Sequence, residues 1–408
     1  GIMKTFVQYG AGNIGRGFIA QLFSDAGYFV HFVDVDRQIV NALNVQRRYP
    51  VSIVSNSGNR DIWVKNVDCV NGLEKENVAD AIAECDLMAT AVGVNILPRI
   101  VPNIVEGFRK RIESGNEKPL NIIICENLID ADKLLNKLIS ELLNEDEKII
   151  FKKMVGLVEA SVGRMVPVMT EEQKKDNILK VCVESFCELP VDKDAFKGDI
   201  PSVPNLLPFT PFEFYIKRKL FIHNMGHAIT AYLGYLSGYE YIWQAISNPS
   251  INKIVRNAMN ESAKALSIKF NIPIKDIEEH IDDLINRFGN VELGDTVLRV
   301  GKDTKRKLSE NDRFSGAIKL CEELGIKPVY IPIGIAAGLL FDSKNDDGTD
   351  EVNKKLVNEG INSVLSEICG LKGNNEIIKN YYQHLKSEPN LNVLLEKADT
   401  YQKHYTNK

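Results

Sequence analysis

Lysine, asparagine and histidine stand close together in the run Lys217-Arg-Lys219-Leu-Phe-Ile-His223-Asn224-Met-Gly-His227, within a strongly helical stretch. At about 100° per residue, Lys219, His227 and Asn224 project at about 0°, 80° and 140° around a helix axis. One side of the helix then presents an amine, an imidazole and an amide. Such a face can move a proton and hold an oxygen, because a lysine without its proton is a base and an amide N–H donates to an oxyanion. Singly, a helical lysine is usually solvated and a lone histidine usually packs or meets water. His223 and His227 also have the i, i+4 spacing of a zinc pair. No glutamate follows His223 and no further ligand cluster is evident, so no metal is expected.

A second chemical signal lies near the start of the chain. Gly10-Ala11-Gly12-Asn13-Ile14-Gly15 follows an apolar run and opens a helix pattern. In that context the glycines make a dinucleotide fingerprint: Gly10 for the tight turn, Gly12 for close approach of a pyrophosphate, and Gly15 for close packing of helix on strand. The helix N-terminus is then aimed at phosphate. Asp34 ends the second strand pattern, where a carboxylate accepts from ribose hydroxyls and repels a 2′-phosphate, which favours NAD over NADP. Asp36 is a possible substitute. Ala91-Val92-Gly93, at the end of the third major strand, is where the nicotinamide half is expected to run.

These residues need elements to position them. Over 3–160, short apolar runs alternate with amphipathic stretches, the pattern of a parallel sheet with helical crossovers. Strands are expected at 5–9, 29–33, 87–91, 120–125 and 154–158, and helices at 14–26, 37–45, 78–84, 96–114 and 131–143. Residues 51–64, β-branched on either side of Asn56-Ser57-Gly58-Asn59, read as a hairpin insertion. A further strand is expected within 178–186. Pro201, Pro204, Pro208 and Pro211 then mark a connection. Beyond it long helical periodicity takes over, at 212–236, 251–270, 276–287, 314–324, 352–369 and 376–385. The expected fold class is therefore α/β: a Rossmann-type doubly wound sheet over 3–203, followed by a predominantly α-helical substrate-binding domain over 204–408. Residues 344–350 read as a loop, and Asn407 and Lys408 are expected to fray.

Composition limits the alternatives. The chain has 408 residues, 44% hydrophobic and 26% charged, which excludes disorder and fibrous architecture. The apolar run 330–341 is interrupted by Pro332, Gly334 and Gly338 and is too short to span a bilayer, so no membrane partner is expected. No export signal is visible at the start. Seven cysteines without a CxxC pair argue against disulfide or zinc frameworks. A cytoplasmic setting is expected. A formal net charge of −5 opposes polyanions, so nucleic acid is not an expected partner.

The segment from Gly10 to Ile19, together with Lys219, four residues, Asn224, two residues, His227, resembles the polyol-specific long-chain dehydrogenases. Further segments resemble the family in order: Cys125-Glu-Asn127, Asp192-Lys-x-x-Phe196-Lys-Gly198, Arg218-Lys-Leu-Phe221, the run from Gly226 to Gly234, Asp295-x-x-x-Arg299 and Arg306-Lys-Leu-Ser309-x-x-Asp312-Arg313. The resemblance covers about residues 3–341. It implies metal-independent hydride transfer to or from NAD, with Lys219 as general acid/base, Asn224 and Asn127 donating to the reacting oxygen, and His227 orienting a neighbouring hydroxyl. To accept a proton near neutral pH, Lys219 must be uncharged, which burial and neighbouring cations such as Lys217 or Arg218 favour.

The expected reaction is the interconversion of mannitol 1-phosphate and fructose 6-phosphate by a monomer or homodimer. A phosphorylated substrate needs cations. Arg299, Arg306, Lys307 and Arg313 fall within fifteen positions and Arg164 follows the fifth strand; guanidinium forks suit phosphate oxygens, and some of the five are expected to touch substrate. The chain departs from the family at three places: Gly163 where an aspartate typically precedes the arginine, Lys217 where an acid often stands, and Met225 for a small polar residue. Alternative readings are a reductase of hexuronates such as tagaturonate and fructuronate, or of free ketoses, and an NAD-binding protein without turnover.

Overall fold

A computed structural model of the chain describes residues 2–407. Lys408, half of the pair expected to fray, lies outside them. The chain forms two compact units, Gly1–Glu213 and Phe214–Lys408. Among the described residues the first holds eleven strands: β1 Thr5–Tyr9, β2 Phe29–Asp34, β3 Arg48–Ile53, β4 Arg60–Lys65, β5 Val67–Asn71, β6 Leu87–Thr90, β7 Leu120–Ile124, β8 Val155–Glu159, β9 Val181–Val183, β10 Leu189–Asp192 and β11 Leu206–Phe209. Six form one parallel sheet in the order β5-β2-β1-β6-β7-β8. The order reverses between β1 and β6, and that switch point is where an open parallel sheet leaves a crevice at the carboxyl ends of its strands.

The sequence pattern explains the layering. A parallel strand covered by helices on both faces is apolar throughout, and β7 is buried at all five positions. One core cluster, built on Phe6, Phe18, Phe23 and Phe32, fills one face; another, built on Met88, Ile104, Phe108 and Ile122, fills the other. Arg111 is fully buried where the helix Lys75–Glu84 ends and the chain leads into β7. Its guanidinium donates to the carbonyls of Ile82, Ala83, Cys85, Lys118 and Pro119, gathering helix-end acceptors that would otherwise be orphaned.

The expected hairpin forms, with β3 and β4 antiparallel from Arg48↔Lys65 to Ile53↔Arg60. It stays outside the main sheet and pairs instead with β9, Val51 opposite Val181. The outer strand of the main sheet on that side is β5, whose short VDCVN carries too little apolar pattern to stand out. Residues Glu145–Met154 form a helix that the sequence reading missed, capped by Asn144 and Glu147 in a capping box. The proline-rich stretch stays with the first unit, because β11, which contains Pro208, pairs in parallel with β10.

Among the described residues the second unit contains no strand and is built of helices. The expected helices appear at Pro249–Phe270, Ile274–Phe288, Ser315–Glu323 and Glu376–Ser387, while 352–369 breaks into Asp347–Glu359, Ile361–Ser363 and a π-helical turn at Val364–Ile368. Others were not expected, among them Ile242–Ser247, Val297–Gly301, Thr304–Lys307, Ile331–Gly338 and Leu391–Thr406. Ile331–Gly338 tolerates its proline because Pro332 sits in the first turn, where no backbone donor is needed. The carboxylate of buried Glu261 accepts the amides of Val329, Tyr330 and Ile331 and so closes that helix start. Gly334 is required by packing: a Cβ there would lie 2.2 Å from the Phe314 ring. No helix among the described residues is long and apolar enough to cross a membrane.

Candidate active site

The first unit brings the glycine loop to the switch point. Gly10 has φ of +101°, and a Cβ on it would fall 2.2 Å from the carbonyl oxygen of Ala91. Gly15 is equally constrained, its Cβ position lying 2.2 Å from Gly10 O. Gly12 differs: it is exposed, with nothing within 4 Å of a Cβ position, so its backbone stays open to a ligand's close approach. Asn13 is exposed and Ile14 half-buried beside it. The helix that follows starts with a π turn, Gly15–Ile19, before the α turns of Ala20–Asp25. Arg16, buried beneath, donates from Nε to Ala11 O at 2.7 Å and from Nη1 to Leu179 O.

Asp34 ends β2 and grips this loop. Its Oδ2 accepts the amide of Ala11 at 2.8 Å and its Oδ1 the amide of Asp36 at 2.9 Å. Across the switch point, Ala91, Val92 and Gly93 follow β6. Ala91 N donates to Tyr9 O at 2.8 Å, and Gly93 has φ of +95°. The next two amides point at one carboxylate: Val92 N donates to Glu126 Oε2 at 3.0 Å and Gly93 N to Glu126 Oε1 at 2.9 Å. Glu126 is buried just beyond β7, and Asn127, one residue on, is exposed. Farther along the same edge, Asp130, Asp132 and Glu159 bring carboxylate oxygens within 4.8 Å of one another. Burial, and then Asp132, pushes Glu159 up to about 7.

Arg164 lies in the core of the first unit. Its Nε donates to Glu184 O at 3.0 Å, and its Nη1 to Gly17 O at 2.9 Å and Gln21 Oε1 at 2.6 Å. These bonds tie the glycine-loop helix to the chain after β8, and burial draws the guanidinium down to about 10.

In the second unit the chemically capable run is one continuous helical rod of three parts: α over Glu213–Arg218, π over Lys219–Asn224, and α over Met225–Leu236. A π turn bonds i to i+5, and Lys219 and Asn224 are five apart. The wide turn therefore carries Asn224 back toward the azimuth of Lys219, and His227 follows three residues later. An unbroken α-helix would leave Lys219 and Asn224 about 140° apart. Lys219 and Asn224 are half-buried, and so is His227.

His227 is held on two sides. Its ring stacks on Phe288, centroids 4.9 Å apart and planes at 14°, and its Nε2 stands 3.7 Å from Asp295 Oδ2. Burial pulls its pKa down to about 4, against the opposing pull of Asp295 and with Lys219, Arg299 and Lys307 adding to it. The imidazole is uncharged at neutral pH. His223, whose ring centre is 6.3 Å from that of His227, is buried and driven well below its ordinary range, first by desolvation and then by Lys219 and Arg287. His280 behaves alike, with Arg218, Arg287 and Lys219 as its cationic neighbours. Cations crowded along this face raise the cost of any further positive charge there.

The basic segment extends the same field. Arg299 is exposed, its Nε 2.7 Å from Asp295 Oδ1, so Asp295 stands between Arg299 and His227. Arg306, also exposed, meets Asp303 at 2.9 Å, and Arg313, largely buried, meets Asp312 at 2.9 Å. Lys307 is buried with its ammonium on Val300 O. Desolvation lowers it to about 7, helped by Arg313 and Arg306 and opposed by Asp303. Arg299, Lys307 and Arg313 thus belong to one electropositive group beside His227.

Sequence reasoning gave no role to three contributors: Asp295, Glu126 and the π turn. Asp295 and Arg299 carry the i, i+4 spacing that signals an ion pair. Glu126, an acid placed directly after the apolar run of β7, was also visible. The π turn had no such signal.

Comparison with known proteins covers both units. Residues 4–205 match the mannitol dehydrogenase Rossmann domain and residues 212–388 the mannitol dehydrogenase C-terminal domain. A protein of Thermoanaerobacter pseudethanolicus named mannitol-1-phosphate 5-dehydrogenase is 39% identical over 383 residues, 93% of this chain and 97% of that one. Among solved structures, a substrate-free D-sorbitol dehydrogenase shares the fold with a TM-score of 0.79 at 16% identity, over 95% of this chain and 94% of that one. Mannitol 2-dehydrogenase of Pseudomonas fluorescens, solved with NAD and D-mannitol, does so with a TM-score of 0.73 at 16% identity, over 100% and 95%.

Proposed function

The chain belongs to the mannitol dehydrogenase family, and on that premise we propose that it interconverts mannitol 1-phosphate and fructose 6-phosphate, with NAD as hydride carrier and no metal. What carries the reading is the face formed by Lys219, Asn224 and His227 with the cationic group of Arg299, Lys307 and Arg313 beside it. The strong likeness to a relative named for that phosphorylated polyol supports the same choice.

The glycine loop fits a dinucleotide: Gly12 leaves room for a pyrophosphate and Asp34 stands at the end of β2 where a ribose would lie. NAD held by the glycine loop and Asp34 would supply the acceptor for the hydride of the carbinol carbon. Lys219 Nζ accepts the hydroxyl proton as the hydride leaves and returns it during reduction. Asn224 donates from its side-chain amide to the same oxygen and stabilises its growing negative charge. His227, neutral and held by Phe288 and Asp295, bonds an adjacent hydroxyl and orients the carbon.

The test is a panel. Purified protein with NADH is offered fructose 6-phosphate, fructose, tagaturonate and fructuronate, and NADH absorbance is followed. Fructose 6-phosphate is expected to be the best substrate. Preference for a uronate would move the assignment to that class, where Arg299 meets a carboxylate; activity with none would favour a nucleotide-binding protein without turnover.

Asp34 sets the cofactor preference in this reading. Its carboxylate repels a 2′-phosphate while holding the amides of Ala11 and Asp36, so Asp34→Ala should narrow the gap between NADH and NADPH by about tenfold or more. Steady-state kinetics with both cofactors measures it, and equal efficiency in the wild-type protein would refute the role.

A further inference from the structure

The two loops that flank the switch point are held in the same way. The loop after β1 is gripped by Asp34 from the neighbouring β2; the loop after β6 is gripped by Glu126, from just beyond the neighbouring β7. In each case a carboxylate at the outer strand's end accepts from the backbone of the inner loop, Asp34 from one amide and Glu126 from two. The two inner loops also touch, since Gly10 packs so close to Ala91 O that no Cβ fits between them.

We propose that Glu126 is a positioning residue for NAD: its carboxylate fixes the turn at residues 91–93 in the one conformation that receives the cofactor's nicotinamide half. The proposal rests on the reading of the first unit as an NAD cradle. Two consecutive N–H groups converge on Glu126, at 3.0 and 2.9 Å, and a carboxylate is the side chain with two acceptor oxygens and no donor to clash with them. Gly93 holds φ of +95°, a conformation in which the chain gains nothing from local side-chain preference, so the turn depends on what its amides bond to. With the clamp gone, the turn samples other conformations, and apparent affinity falls by the fraction that stays competent.

The test compares wild type, Glu126→Gln and Glu126→Asp, each checked for cooperative unfolding. NADH dissociation constants come from fluorescence titration without substrate, and KM for fructose 6-phosphate is measured at saturating NADH. Gln keeps the size but turns an NH2 toward one of the amides, so E126Q should weaken NADH binding by about tenfold or more. E126D keeps both acceptors at shorter reach and should weaken it by about threefold; it carries the test if E126Q does not fold. KM for the sugar phosphate should stay within about twofold in both variants, a split that general loosening of the fold would not give. NADH affinity within about twofold of wild type in folded E126Q, or weaker binding by E126D than by E126Q, overturns the proposal. A wild-type protein that binds no NADH would overturn the cofactor reading itself, and this proposal with it.

Discussion

Replacing Lys219 by alanine should lower turnover with NADH and fructose 6-phosphate by about 10²- to 10⁴-fold, the range that a positioned proton donor contributes, while the NADH dissociation constant stays within about twofold. The separation follows from the architecture. The glycine loop, Asp34 and Glu126 lie in the first unit, and Lys219 lies on the helical rod of the second. Lys219 is half-buried and acts as a nearby cation on His223, His227 and His280, so its removal deletes a proton carrier and opens no large core cavity. His227 does not substitute for it, because an imidazole lowered to about 4 releases too weak a base for an alcohol proton. Partial rescue by added primary amines would fix the role of Nζ. Near-normal turnover in the variant would sink the lysine mechanism, and loss of wild-type activity on chelation would point to metal at His223 and His227.

The second large effect concerns the phosphate. A dianion held by charge-assisted bonds of about 1.5 to 3 kcal/mol each should make fructose 6-phosphate better than fructose by at least about 10² in kcat/KM. Arg299→Ala should raise KM for the phosphate, since Arg299 is the exposed member of the cationic group beside His227. Lys307 adds a pH dependence. Its pKa is drawn down to about 7, so it is charged below that pH and neutral above it. The advantage of the phosphorylated ketose should therefore shrink as pH rises through about 7, with no matching change for fructose. Similar efficiency for the two ketoses, or an unchanged KM in the Arg299 variant, would remove the phosphate from the assignment and leave the fold and the lysine chemistry standing.

Much of this was legible in residue order. The glycine fingerprint announced its loop because three glycines and an acid serve one geometric purpose at fixed offsets, and β1 appears at Thr5–Tyr9 as the apolar run indicates. Long amphipathic helices such as Ile274–Phe288 were equally plain. What escaped were elements whose reasons lie elsewhere in the chain. Ile331–Gly338 is apolar all round and shows no amphipathic stripe; it is a helix because Glu261, seventy residues before Ile331, closes its start and Phe314 needs Gly334 beneath it. β5 is a strand because β2 offers it a partner. At the site, residue types were readable and commitments were not: Arg164 and Arg313 look alike in sequence, yet one ties a helix to the core and the other faces Asp312 in the electropositive group.

The π turn at Lys219–Asn224 has a consequence for comparing sequences. Its wide turn accommodates one residue more than α bonding would over the same rise, so the amine, amide and imidazole share a side through chain length as well as through identity. A relative with the same three residues but one fewer position between Lys219 and Asn224 would keep them on one side in a regular α-helix, at about 0°, 40° and −20°. A relative with the present spacing and no π turn would instead leave the amide about 140° and the imidazole about 80° from the amine. In an alignment of this segment, a single gap inside the motif is therefore compatible with the arrangement, while an ungapped match without the π turn is not.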